Sequence, residues 1–175
     1  GTKPLAPEIG KLWSFSSSAD GSRLVGYNAS GDNQTRGMYA ADPAGTALTR
    51  VVTDSAPHAA RFLPDGTILY LSGHSLRKVA ADGTGDVPVL PSVTLPLSTG
   101  GFVVSPDGAS IYYSTARWET GTDQVRRLDL ATGAASTVYQ RPGKAGDFPT
   151  ALVTDVSPSG TQLLLTIETT ADITG

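Results

Sequence analysis

The chain has no cysteine, one methionine, two histidines, and three glutamates against thirteen aspartates. Absence of cysteine removes disulfides, thiolate zinc sites and cysteine nucleophiles together. With Glu, Lys and Met scarce the usual helix fillers are missing, and no window keeps an apolar 3.6-residue period between caps, so helices are not expected. No apolar run approaches the roughly 18 residues that cross a bilayer as a helix. The stretch Gly1 to Gly10 lacks the charged-then-apolar order of a secretory signal, so a signal or anchor is expected only outside this chain. A formal charge of -3 and a pI near 5.2 leave no basic footprint for nucleic acid or an anionic membrane, and the only adjacent basic pairs are Arg77 with Lys78 and Arg126 with Arg127.

What the chain does have is turn chemistry: 20 Gly and 12 Pro among 175 residues, beside the many aspartates, which points to an all-β protein. A hydrophobic fraction of 39% with 17% charged residues fits an ordered domain rather than a disordered one. The length suits a single domain or a piece of a larger one. Nine Arg against four Lys, with heavy use of Ala, Gly and Thr, suggests a bacterial source rich in G and C.

An internal repeat organises the sequence. Four segments align: Trp13 to Tyr27, Ala60 to Leu71, Gly101 to Ser114 and Thr154 to Thr166, and their shared glycines (Gly21, Gly66, Gly108, Gly160) are 45, 42 and 52 residues apart. A period of that length is one four-stranded unit. Pro64-Asp65-Gly66 and Pro106-Asp107-Gly108 set φ with Pro, cap with Asp and supply a left-handed Gly, the chemistry of a short hairpin with a bulge. The expected strands after these turns are Ser22 to Tyr27, Thr67 to Leu71, Ser110 to Thr115 and Gln162 to Glu168. Third strands are expected at Gly37 to Ala41, Leu76 to Ala80 and Val125 to Leu130, and fourth strands at Leu48 to Val52, Val87 to Leu90 and Ser136 to Tyr139. The fourth unit stops after two strands, giving about three and a half units and 14 strands.

The pattern of an apolar residue, Ser, Pro, Asp, Gly and then an apolar-aromatic strand, cleanest at Phe102 to Tyr113, resembles the WD40-like or PD40 repeat of TolB-type β-propellers. Ala19 replaces Pro in the first unit and Ser159 replaces Asp in the last. The resemblance implies a single propeller, or propeller fragment, over residues 1–175, with blades near 12–52, 59–90, 101–140 and 151–175, the last incomplete. It also implies an extracytoplasmic setting. An open array leaves an unpaired strand edge, so a homo-oligomer or the remainder of a longer propeller is expected to supply closure.

Loops longer than tight turns fall between second and third strands and between units, which places them on one face of a propeller, where binding residues concentrate. The candidates there are Arg36, His58, His74, Arg117, Trp118, Glu119, Arg141, Asp147 and Phe148, with Tyr27 and Lys144 beside them. Arg117-Trp118-Glu119 pairs the second of two tryptophans with both charges, the composition of a binding hot spot. Gly73-His74-Ser75-Leu76-Arg77 lacks the second glycine of a nucleophile elbow, and His58 and His74 lack metal-ligand spacing. Asp82-Gly-Thr-Gly-Asp86 and Asp32-Asn33 lack the alternating oxygen ligands of a calcium loop and read as turns. Asn28 and Asn33 sit in glycosylation-type triplets that arise by chance in a Ser- and Thr-rich chain. No metal, no cofactor and no catalytic residue is assigned. The expected function is a non-enzymatic binding or sensor module for a protein, peptide or glycan. The alternative is a propeller belonging to an enzyme, as the accessory domain of a prolyl-oligopeptidase-like serine peptidase or as a sugar-processing propeller with a loop histidine.

Overall fold

The computed structural model describes residues 13–28, 36–44, 47–53, 57–73, 75–90, 102–117, 122–141 and 151–167. Every regular element among them is a strand, and each strand pairs antiparallel with its sequence neighbour. The chain divides into two compact units, Gly1–Thr94 and Leu95–Gly175.

In the first unit, β1 (Trp13–Ser17), β2 (Leu24–Asn28), β3 (Gly37–Ala41) and β4 (Leu48–Val52) form one sheet in that order, and β5 (Pro57–Phe62), β6 (Ile68–Ser72), β7 (Ser75–Val79) and β8 (Val87–Leu90) form a second. The two sheets share an apolar core. Val25, Met38, Ala40, Val51 and Val52 come from the first, and Ala60, Phe62, Ile68, Tyr70, Val79 and Ala81 from the second. Burial of this kind is the main stabilising term, about 1.5–3 kcal/mol for each large apolar side chain. β6 has four consecutive buried residues, Ile68 to Leu71, because a central strand of this sheet is covered on both faces.

In the second unit, β9 (Phe102–Val104), β10 (Ser110–Arg117), β11 (Thr122–Asp129) and β12 (Ala135–Arg141) form a four-stranded sheet, and β13 (Ala151–Val156) pairs with β14 (Leu163–Ile167). Phe102, Ile111, Val125 and Ala151 are fully buried here. The two-stranded sheet is tied to its neighbour by the Val153 amide, which donates to Ser114 Oγ at 2.8 Å.

The turns between first and second strands share one bond, from the glycine amide back to the carbonyl three residues earlier, at Gly21, Gly66, Gly108 and Gly160. Leu63 N donates to Thr67 O at 2.8 Å and Gly66, at φ 80°, donates back to Leu63 O at 2.9 Å, which closes the three-residue bulged hairpin expected from Pro-Asp-Gly. In the other three sheets, including the one with the Pro106-Asp107-Gly108 turn expected to be the same three-residue hairpin, the turn is one residue longer and a serine completes it. Arg23, Ser110 and Gln162 donate their amides to Ser18, Ser105 and Ser157 Oγ at 3.0, 2.9 and 3.0 Å. Leu63 occupies that position in the short turn and supplies packing instead.

Strands β3, β4 and β8 lie where the sequence placed them, and others shift at their ends by one to three residues. Two differences bear on the site. His58 is not in a loop: β5 starts at Pro57, an allowed place for proline as a first strand residue, and His58 pairs with Leu71. The loop expected at Ala116 to Asp123 is also shorter, because β10 and β11 extend their ladder to an Arg117–Thr122 pair. Arg117 is therefore a strand terminus.

Candidate functional site

Two open clefts flank the second sheet of the first unit. One, of 560 Å³, lies at the tight-turn end and is walled by the turns carrying Asp20, Arg23, Asp65 and Asp82. Its carboxylates are held by their own turns, and Asp65 also accepts from Lys78 Nζ at 3.3 Å. Asp20 Oδ1 accepts from the Ser18 hydroxyl at 2.7 Å and the Ser22 amide at 3.0 Å, which holds its pKa down at about 2. Asp65 is lowered by Thr67, and Asp82 by the Thr84 amide and hydroxyl at 2.9 and 2.7 Å.

The second cleft, also 560 Å³, runs along the blade, from Asp82, Gly83 and Asp86 at the tight-turn end to Thr53, Ser72 and Ser75 at the long-loop end. Its wall carries a fixed polar network. The Tyr70 hydroxyl donates between the two Asp86 carboxylate oxygens, 3.0 Å from each, and accepts from Arg77 Nε at 3.2 Å. Arg77 Nε also meets Asp86 Oδ1 at 3.0 Å. Tyr70 is 1% exposed, and burial, followed by the Asp86 carboxylate, pushes its phenol up to about 12. Asp86, followed by Tyr70, raises the Arg77 guanidinium. Arg77 Nε is thus shared between the Tyr70 hydroxyl and Asp86, and the side chain lines the cleft.

The opposite wall is β4, where Arg50 lines the cleft and its Nη2 donates to the Arg36 carbonyl. That contact crowds Gly37. A Cβ there would overlap the Val52 carbonyl oxygen and lie 2.8 Å from Arg50 Nε, at a φ of 146°. The glycine is what lets Arg36 and Arg50 meet.

Of the residues singled out in the sequence, Arg36 is half-buried immediately before β3 and Arg141 is half-buried at the end of β12, paired with Asp123. His58 and Arg117 stand on strands, as above. His74, Trp118, Glu119, Lys144, Asp147 and Phe148 lie outside the described residues. Among the described residues no group of three His, Asp or Glu side chains is placed to hold a metal. Asp82 and Asp86, read as turn residues, point to different partners, Thr84 and the Tyr70–Arg77 pair. The Tyr70, Arg77 and Asp86 network was missed in the sequence. A signal for it existed: the Ser72–Ser75 pair across a two-residue turn makes Tyr70 the partner of Arg77 by counting outward.

No protein-family model and no curated protein matches the chain. Solved structures do. A putative TolB from Agrobacterium tumefaciens matches with a TM-score of 0.63 at 18% identity, over 96% of this chain and 61% of that one. TolB from Acinetobacter baumannii matches at 0.56 and 14% identity, over 75% of this chain and 33% of its own. The β-propeller domain of the Trilobed protease from Pyrococcus furiosus matches at 0.56 and 10% identity, over 90% and 50%. The chain thus spans between a third and about three-fifths of these structures. With three four-stranded blades and a two-stranded fourth among the described residues, the chain has the fold of a TolB-like, PD40-type β-propeller in partial form.

Proposed function

We propose that the protein is a non-enzymatic binding module that recognises a peptide, protein or glycan through its long-loop face, in an extracytoplasmic setting. The observation that supports this most is the cleft along the second blade. Its lining includes Thr53, Ser72 and Ser75 from that end of the blade and Arg77, whose Nε is held by Tyr70 and Asp86. A preoriented guanidinium loses little entropy on meeting a carboxylate, carbonyl or vicinal hydroxyl pair, which makes it a specificity element rather than a reacting group. No helix among the described residues is long and apolar enough to cross a membrane.

The test is a glycan array together with a peptide library, followed by affinity measurements on the hits with Arg77→Met and Trp118→Ala. Both variants should bind at least about tenfold more weakly, a change of roughly 1.4 kcal/mol, with the melting temperature within a few degrees. Hits that bind both variants as tightly as the parent protein would exclude this face as the recognition surface.

A further inference from the structure

Four aspartates are followed directly by glycine: Asp20, Asp65, Asp82 and Asp107. This dipeptide is prone to spontaneous isomerisation, because glycine has no side chain to hinder attack by its amide nitrogen on the preceding carboxyl carbon. The nitrogen bonds to Cγ of the protonated carboxyl, a Cγ–O bond breaks, and that oxygen leaves as water with the carboxyl and amide protons. Water then reopens the cyclic imide at either carbonyl. One opening restores aspartate, and the other gives isoaspartate, whose backbone is longer by one methylene. All four aspartates are exposed, three in turns between first and second strands and Asp82 in the turn between β7 and β8.

In each turn the attacking group is already in use. Gly21, Gly66, Gly83 and Gly108 donate their amides to the Ser18, Leu63, Ala80 and Ser105 carbonyls at 2.8–2.9 Å. The carboxylate is in use as well. Oδ1 of Asp20, Asp65, Asp82 and Asp107 accepts from the amide two residues on, that of Ser22, Thr67, Thr84 and Ala109, at 3.0, 2.9, 2.9 and 3.0 Å. Hydroxyls add to this, from Ser18 and Ser22 on Asp20, Thr67 on Asp65, Thr84 on Asp82 and Ser105 on Asp107. A further backbone bond spans each dipeptide, from Ser18, Leu63, Ala80 and Ser105 to the carbonyls of Arg23, Thr67, Thr84 and Ser110.

We propose that these turns protect the folded chain from isoaspartate formation, because the bonds that shape each one occupy both the nucleophile and the electrophile of the cyclisation. A glycine N–H that donates to a carbonyl is shielded from the base that must remove its proton. Donors on the carboxylate favour its ionised form over the acid that cyclises, and all four aspartates are lowered from their ordinary value for this reason. The spanning bond restricts the backbone rotation that would bring Cγ onto the nitrogen. One turn geometry, repeated four times, thus makes four labile dipeptides durable while the protein stays folded.

The test ages the 175-residue protein at neutral pH, folded and in urea, and locates isoaspartate by an isoaspartate-specific methyltransferase with peptide mapping. Each site should age at least about tenfold more slowly in the folded protein, the factor that one hydrogen bond to a charged group supplies. Thr84→Val and Ser22→Ala remove exposed hydroxyl donors and leave the backbone bonds, so they separate the turn from folding in general. Folded Thr84→Val should form isoaspartate about fivefold faster at Asp82, and Ser22→Ala at Asp20, the factor for one ordinary hydrogen bond, with the other three sites in each unchanged. The two act on different turns, so a variant that unfolds and ages at all four sites leaves the other to decide. Equal ageing of folded and unfolded protein, no acceleration at the substituted turn, or acceleration at all four sites in both variants would each overturn the proposal.

Discussion

Tyr70 and Arg77 are direct partners across β6 and β7, and the phenol oxygen of one lies 3.2 Å from Nε of the other. The phenol is kept neutral because burial and the Asp86 carboxylate raise its pKa to about 12 from an ordinary 10.0. Its folded-state value is raised, so this stabilisation is complete below pH 10 and is lost as the pH climbs through about 12. Absorbance titration of the six tyrosines should show one component ionising last. Tyr70→Phe should remove that component and lower stability at neutral pH by about 1 kcal/mol, the net contribution of a hydrogen bond. A late component that survives in Tyr70→Phe would refute the assignment.

At the acid end the sign reverses. Asp20 is held near 2, first by the Ser18 hydroxyl and then by the Ser22 amide, while Asp65, Asp107 and Asp129 are lowered by Thr67, Ser105 and Thr132. Depressed folded-state values mean that the stabilisation is present above the ordinary 3.8 and disappears as the pH falls toward 2. The urea midpoint should therefore drop steeply below about pH 4, and Asp20→Asn should make that drop shallower. A midpoint flat across this range would show that the turn carboxylates do not act on folding.

Two glycines separate backbone freedom from crowding. Gly21 has φ 68° and open space where a Cβ would go, whereas Gly37 would press a Cβ into the Val52 carbonyl and Arg50. Gly21→Ala should cost only the left-handed penalty, about 1 kcal/mol. Gly37→Ala adds overpacking against backbone and should cost roughly 2–4 kcal/mol. Chemical denaturation of the pair checks this, and equal losses would mean that β3 shifts to make room.

Much of the fold was legible because turn chemistry recurs at a fixed period: Pro-Asp-Gly located the hairpins, and the apolar runs after them located the strands. The errors came where polar residues continue a ladder. Arg117 and Thr122 read as loop because they flank the polar, glycine-containing stretch Trp118 to Gly121, yet backbone pairing extends to them. Pro57 hid the start of β5 in the same way. The site was less legible, since a single sequence marks long loops but not which side chains converge. Tyr70, Arg77 and Asp86 sit in a hairpin and a turn that looked purely structural, and only register brings them together.

The fourth turn has no carboxylate. Ser159 stands where Asp20, Asp65 and Asp107 stand in the others, and a hydroxyl relay takes over, Ser157 to Ser159 at 3.2 Å and Ser159 to Thr161 at 2.7 Å. Each of these turns thus closes its core hydrogen bonds within its own few residues, and the additions at Asp65 and Ala109 come from Lys78 and Leu130 of the same blade. A blade copied or lost by gene duplication carries its turn with it intact and asks nothing of its neighbours there. What cannot be copied so freely is a sheet face, which needs another blade beside it, so the number of blades in such a lineage is governed by faces while the turns drift.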